Sequence, residues 1–133
     1  MSVKHFLKKI LYKVLDAQPF LYRPECKIFN HKFEIHKTDI DIWPSYPHMH
    51  SIEDNLVLNI YTGEVYRKIT RVCISEAREK DMKKLWNDKR FLEIVLDVRK
   101  NKPINIKELD PIPTKWMNSE NLKYIIQKQD NAY

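Results

Sequence analysis

The first apolar stripe lies at the start of the chain. Val3, Phe6, Leu7, Ile10, Leu11, Val14 and Leu15 recur at intervals of three and four, the spacing that lines one face of an α-helix. Lys4, His5, Lys8, Lys9 and Lys13 fall on the opposite face, so the spacing predicts an amphipathic helix over residues 2–16. Pro19 and Pro24 then bracket a loop, because proline lacks the helix donor and clashes with the preceding turn. From residue 27 the period changes to two. Phe33 and Ile35 alternate with Lys32, Glu34 and His36, and Thr38, Ile40 and Ile42 alternate with Asp39 and Asp41. The apolar parity switches between these runs, which predicts a turn or bulge near residues 36–38. Leu56, Leu58 and Ile60 form a third alternating run. Thr62-Gly63 follows and contains the chain's only glycine, which accepts a positive φ and marks a hairpin returning through Glu64, Val65 and Tyr66. The returning strand is expected to continue over residues 67–74, through Ile69, Val72 and Ile74.

The second half reads as helical. Ser75 stands at an N-cap position, with Glu76 and Glu79 in the first turn, where carboxylates complement the helix dipole. Ala77, Met82, Leu85 and Trp86 supply an apolar face. Asn87-Asp88 either caps a second helix carrying Phe91, Leu92, Val95, Leu96 and Val98 inward, or lies within one long helix running to Lys100. Pro103, Pro111 and Pro113 impose an irregular stretch. Ser119 is expected to cap a last short helix with Leu122, Ile125 and Ile126 inward. The expected fold is therefore a single α+β domain over residues 1–133: an N-terminal amphipathic helix, an antiparallel sheet of three to five strands, and a helical C-terminal half.

Composition narrows the function classes. Hydrophobic residues make up 43% of the 133 positions and charged residues 32%, enough to bury a core. One glycine is too few for a phosphate loop or a dinucleotide fingerprint, so a nucleotide cofactor is not expected. No apolar run approaches the ~20 residues that span a bilayer. Lys8, Lys9 and Lys13 interrupt what would have to be the apolar core of a signal peptide. Cys26 and Cys73 belong to no CxxC pair, which favours a reduced, cytoplasmic protein over a disulfide scaffold. The net charge of +6 is unevenly spread. Residues 31–66 carry two basic and six acidic groups, whereas residues 67–107 carry thirteen basic and six acidic. Basic segments attract phosphate or other anions. Glu–Lys pairing on solvated helices accounts for much of the same pattern. The basic first helix is expected to pack its stripe on the sheet rather than to lie on a membrane surface.

Candidate chemistry concentrates between Trp43 and Glu64. Two prolines, Pro44 and Pro47, stiffen the backbone before His48 and His50. If this segment is extended, residues two apart project to one side, so the imidazoles share a face. A pair of imidazoles can act as base and acid, one activating a 2′-hydroxyl and the other protonating a leaving oxygen. Glu53 and Asp54, a few residues on, are candidates to orient one ring. With either carboxylate the two histidines can instead hold a divalent metal, leaving the cofactor as none or one such ion. The plainest alternative is structural, with the rings bonded to backbone carbonyls. Trp43, Tyr46, Tyr61 and Tyr66, beside Arg67, Lys68 and Arg71, form a candidate base-stacking and phosphate-contacting surface. The alternative for these aromatics is a core with a wet edge.

Pro47-His48-Met49-His50, the alternating Leu56-Val57-Leu58-Asn59-Ile60 and Tyr61-Thr62-Gly63 resemble a segment in small bacterial proteins of toxin–antitoxin and phage-defence loci. There a Pro-His-x-His element precedes a strand. The resemblance covers residues 43–66. It implies a small intracellular effector, often acting on RNA, or the protein that neutralises one. Two expectations follow. The first is a toxin-like RNA-processing enzyme, with His48 and His50 as proton shuttles or metal ligands, Glu53 or Asp54 orienting, and Arg67, Lys68 and Arg71 on phosphate. The second is a non-enzymatic immunity or antitoxin-type protein, whose acidic strand region meets a basic protein partner while the histidines are structural.

Overall fold

A computed structural model of the chain describes residues 21–36 and 41–130, together with Val3. The expected N-terminal helix lies outside the described residues, as does the alternating stretch through Thr38 and Ile40.

The described residues form a five-stranded antiparallel sheet followed by three α-helices, an α+β arrangement. The strands are β1 (Phe33–Glu34), β2 (Met49–Ser51), β3 (Leu56–Leu58), β4 (Glu64–Arg67) and β5 (Cys73–Glu76). Each pairs with the next, so the sheet is a simple meander in chain order. The turn before β1 is tight: Ile28 and His31 exchange backbone bonds of 2.9 Å around Phe29 and Asn30, both at positive φ. The β2–β3 turn likewise places Asp54 and Asn55 in the left-handed region, which short polar side chains tolerate.

The β3–β4 turn is built by Asn59 and Gly63. The Asn59 carboxamide oxygen accepts from Tyr61 N at 3.0 Å and Thr62 N at 3.3 Å, and Gly63 N donates to Asn59 O at 2.8 Å. Gly63 sits at φ +83°, as its place in the sequence predicts. The expectation of one strand across residues 67–74 is corrected. β4 ends at Arg67, Arg71 turns the chain at φ 61°, and β5 returns as a separate strand. Ile69 (84% exposed) and Val72 (56%) have no face to bury in this loop, which is why alternation misreads it. A bulge between Val65 and Tyr66 shifts the register of β5 on β4.

Two further boundaries differ from expectation. Ser75 lies within β5 opposite Val65, so it caps nothing; α1 (Glu79–Trp86) starts after Arg78. Ser119 is the first residue of α3 (Ser119–Asp130), and the Asn118 side chain before it accepts from Asn121 N at 2.9 Å. Ile126 is 56% exposed, so only Leu122 and Ile125 of the expected trio turn inward. Asp88 does divide the helical region in two. Its carboxylate accepts from Arg90 N and Phe91 N at the start of α2 (Lys89–Lys100).

Strand alternation splits the sheet into two faces. Phe33, Ile35, Met49, Leu58 and Val65 face the helices and join Met82, Leu85, Trp86, Phe91, Leu92 and Val95 in one core. The register aligns Glu34, His50, Val57 and Tyr66 across the other face. Residues 41–48 cover that face. Trp43 packs edge-on against Tyr66 at 5.0 Å, and Asn59 Nδ2 donates to Pro44 O at 3.4 Å.

The Asp88 cap also receives a hydrogen bond from the Tyr22 hydroxyl, tying the segment before β1 to α2. Asp88→Ala is expected to lower unfolding free energy by about 1–2 kcal/mol, measured by urea denaturation. Asp88→Asn, which keeps the cap acceptor, should recover most of that loss.

Candidate functional site

Residues 41–48 act as a strap across the second sheet face, and the imidazoles lie beneath it. His48 immediately precedes β2 and His50 is its central residue, so extended geometry directs both side chains to the strapped face. Their Nε2 atoms approach to 3.1 Å, with ring centroids 4.8 Å apart. Both are buried: His48 is 3% exposed and His50 8%. His48 Nδ1 lies 2.8 Å from Ser45 O, and a carbonyl only accepts, so this nitrogen carries the proton. Ser45 is itself held, its hydroxyl donating to Pro47 O at 2.8 Å.

A third imidazole joins the pair. His36 stacks on His50 with centroids 4.3 Å apart and 12° between the planes. Its Nε2 donates to Glu34 Oε1 at 3.1 Å, and the other carboxylate oxygen of Glu34 takes Arg23 Nη2 at 2.7 Å. Glu34 is also the cross-strand partner of His50. The result is a ladder that runs inward from exposed Arg23 through Glu34 and half-buried His36 to buried His50 and His48.

The two carboxylates expected near the histidines are elsewhere. Glu53 and Asp54 are exposed in the β2–β3 turn, and Asp54 Oδ2 accepts from His31 Nε2 at 3.0 Å. The carboxylate nearest in the fold is Glu34, which bonds His36 and lies opposite His50 across the strands. Proximity in sequence misled here, because β2 runs away from His48 and its turn lies at the far end of the strand. The useful signal was parity: Glu34 and His36 share the polar side of their own strand run.

The expected basic surface is partly assembled. The Arg71 guanidinium lies 4.6 Å from the Trp43 ring centre and pairs with Asp41 at 3.2 Å. Arg67 and Lys68 are exposed, and Lys68 N bonds Asn55 O, so the β2–β3 and β4–β5 loops meet at one end of the sheet. Of the aromatics, Trp43 and Tyr66 pair at this surface, half-buried, whereas Tyr61 is buried against Trp86 in the core. Its hydroxyl donates to Tyr46 O at 2.7 Å and accepts from Arg99 Nη1 at 2.9 Å.

A separate cleft of about 490 Å³ opens among Tyr22, Arg23, Glu25, Cys26, Lys84 and Asp88. No histidine lines it, and its charges are mixed. Burial pushes the Cys26 thiol upward, away from a reactive thiolate. Among the described residues, no helix is long and apolar enough to cross a membrane. No protein-family model, no curated protein and no solved structure matches this chain.

Burial pushes the Tyr61 phenol up to about 12 from its ordinary 10.0, against the opposing pull of the Arg99 guanidinium. The unfolded phenol ionises first, so the folded state holds its proton more tightly. Stability is whole below pH 10 and falls through the window from 10 to about 12. The expected slope is about 1.4 kcal/mol per pH unit from this group, read by denaturant titration. Tyr61→Phe should remove that component, leaving the slope due to other groups.

Proposed function

We propose that this protein is a small non-enzymatic binding protein of the immunity or antitoxin type, in which the imidazoles hold the strap to the sheet. The observation that carries this reading is the burial of His48 and His50 beneath residues 41–48. A base and an acid must each come within about 3 Å of a substrate atom. Here each ring spends a nitrogen on its neighbour at 3.1 Å, and His48 spends the other on Ser45 O.

The partner-facing surface is the end of the sheet where the β2–β3 and β4–β5 loops meet. Ile69 is 84% exposed and Val72 56%, beside Arg67, Lys68 and the Trp43–Arg71 stack. Tryptophan and arginine are the residues of interface anchors, and the exposed aliphatic groups beside them add apolar area. The charge at this tip favours an acidic partner rather than the basic one expected from sequence. Glu34, Asp41 and Asp54, acids of the 31–66 segment, are already engaged by Arg23, Arg71 and His31. Arg67 and Lys68 form no ion pair among the described residues.

Two measurements test the reading. Purified protein incubated with labelled RNA should show no cleavage that depends on the imidazoles. A cleavage rate that falls about a hundredfold in both His48→Gln and His50→Gln, with unchanged melting temperatures, would overturn it. Ile69→Asp combined with Lys68→Glu should change stability by no more than about 0.5 kcal/mol, since both sites are exposed. The same double change should weaken binding to an acidic protein partner by about tenfold or more, measured by titration calorimetry.

A further inference from the structure

Left-handed backbone is gathered at one end of the sheet. Among the described residues, every non-glycine residue with positive φ lies in one of three turns there: Phe29 and Asn30 before β1, Asp54 and Asn55 between β2 and β3, and Arg71 between β4 and β5. Asparagine and aspartate tolerate this region, because their short side chains bond the local backbone. Phenylalanine and arginine do not, so Phe29 at φ 51° and Arg71 at φ 61° are held there by their surroundings. Strained residues of this kind concentrate where a protein contacts something else. Phe29 is held by His31. Their rings stack with centroids 5.7 Å apart and 17° between the planes, and His31 Nδ1 donates to Phe29 O. The Nε2 of the same imidazole reaches Asp54 Oδ2 at 3.0 Å, which ties the first turn to the second. Lys68 N donates to Asn55 O at 2.9 Å, which ties the second to the third. Neighbouring strands lie about 4.8 Å apart, so the three turns form a braced row about 15–20 Å long across the meander.

Apolar exposure falls on the same row. Ile52, Ile69 and Val72 are exposed there and Phe29 is half-buried. Ile42 stands exposed between Asp41 and Trp43, both in contact with Arg71. Elsewhere among the described residues, the exposed large hydrophobics are Val3, Ile104 and Ile126. The charge beside the row is positive. Lys32, Arg67 and Lys68 are exposed and form no ion pair among the described residues. Of the acids here, Asp41 and Asp54 are engaged by Arg71 and His31, which leaves Glu53 against those three cations. Backbone groups of the turns are spent on one another: Ile28 with His31, Ile52 N on Lys32 O, Lys68 N on Asn55 O and Arg71 N on Arg67 O. A partner at this end therefore meets side chains rather than an open strand edge to extend.

We infer that this row of turns seats an acidic amphipathic helix of a protein partner, its apolar stripe over Phe29, Ile52 and Ile69 and its carboxylates against Lys32, Arg67 and Lys68. A helix advances 5.4 Å per turn, so about three to four turns cover the row. The inference rests on the proposed binding role and deepens it. The β4–β5 loop is one part of the contact, and Phe29 anchors the other end. Because His31 already fixes the Phe29 ring, binding has less side-chain freedom to remove there.

The test titrates the ¹⁵N-labelled full chain with a helical peptide of about sixteen residues, built with a leucine stripe and glutamate flanks. A second peptide carries lysine at every flank position. The acidic peptide should shift the amide resonances of residues 28–32, 52–55 and 67–72 together and saturably, and the lysine peptide should not. Phe29→Asn keeps a residue that tolerates the turn and should weaken binding by about fivefold or more. Ile69→Asp should weaken it by about tenfold or more. Ile104→Asp is the control: it lies in the loop after α2, which Arg99 ties to Tyr61 at the opposite end of the sheet, and it should bind as the parent does. If Phe29→Asn lowers the melting temperature, Ile52→Asp, exposed in the second turn, reads the same contact. Shifts confined to residues 67–72, with Phe29→Asn and Ile52→Asp binding as the parent does, overturn the three-turn seat and leave the β4–β5 surface of the proposed function standing. Absence of saturable shifts with the acidic peptide, or equal shifts with both peptides, also overturns the inference.

Discussion

The structure turns on Trp86. Its side chain is fully buried at the end of α1, and its indole Nε1 donates to Ile60 O at 2.8 Å. Tyr61 packs on one side with centroids 5.8 Å apart, and Phe91 of α2 packs edge-on at 5.0 Å. One side chain thus joins the β3–β4 turn to α1 and α2. An indole has a single donor, and a buried donor without an acceptor is costly, so the turn carbonyl and the helix are held in one relation. The tie continues outward. Tyr61 follows Ile60, and its hydroxyl reaches Tyr46 O in the strap. Core packing, turn geometry and the covering of the imidazoles are therefore steps of one mechanical path.

The two faces of the sheet are covered by different physics. On the helical face, apolar side chains from three layers of sequence exclude water. On the strapped face, burial falls on polar groups, and each must be compensated by a hydrogen bond or a charge. The ladder from Arg23 through Glu34 and His36 to His50 and His48 supplies much of that compensation among the described residues. It accounts for a short covering segment without a helix: the strap needs few apolar contacts when it brings carbonyls such as Ser45 O to the imidazoles beneath. The same satisfaction removes the rings from solvent and moves the outward chemistry to the loop end of the sheet. There Ile69, Val72, Arg67 and Lys68 stand clear of the core.

Periodicity made much of this legible. The α+β order and the turn at Gly63 follow from spacing and local chemistry, which also offered the split of the helical region at Asp88 as one of two readings and the pairing of His48 with His50 on one face if their segment is extended. A glycine at φ +83° and an aspartate accepting two amide hydrogens at a helix start are decided within a few residues, so no long-range information is needed. The errors lie where alternation continued without burial. Residues 67–74 alternate as a strand does, yet the chain turns at Arg71, because solvent rather than a second layer covers Ile69 and Val72. Ser75 carries the right side chain for a cap, but sheet pairing to Val65 claims its backbone.

The candidate site divides in the same way. A spacing of two puts His48 and His50 on one side once the segment is extended, since successive side chains of an extended chain must alternate, and β2 supplies that extension. Whether they face solvent was beyond the sequence, because that depends on a covering segment closed by Trp43 on Tyr66 and Tyr61 on Tyr46. The companion carboxylate was also a tertiary matter. Glu34 lies opposite His50 only once β1 and β2 have paired in their register, and Asp54, though nearer along the chain, is carried away by the length of the strand. Local stereochemistry acts over a few residues and is written in the order of the side chains; burial and cross-strand partnership are properties of the closed surface, and they appear only when the chain has folded onto itself.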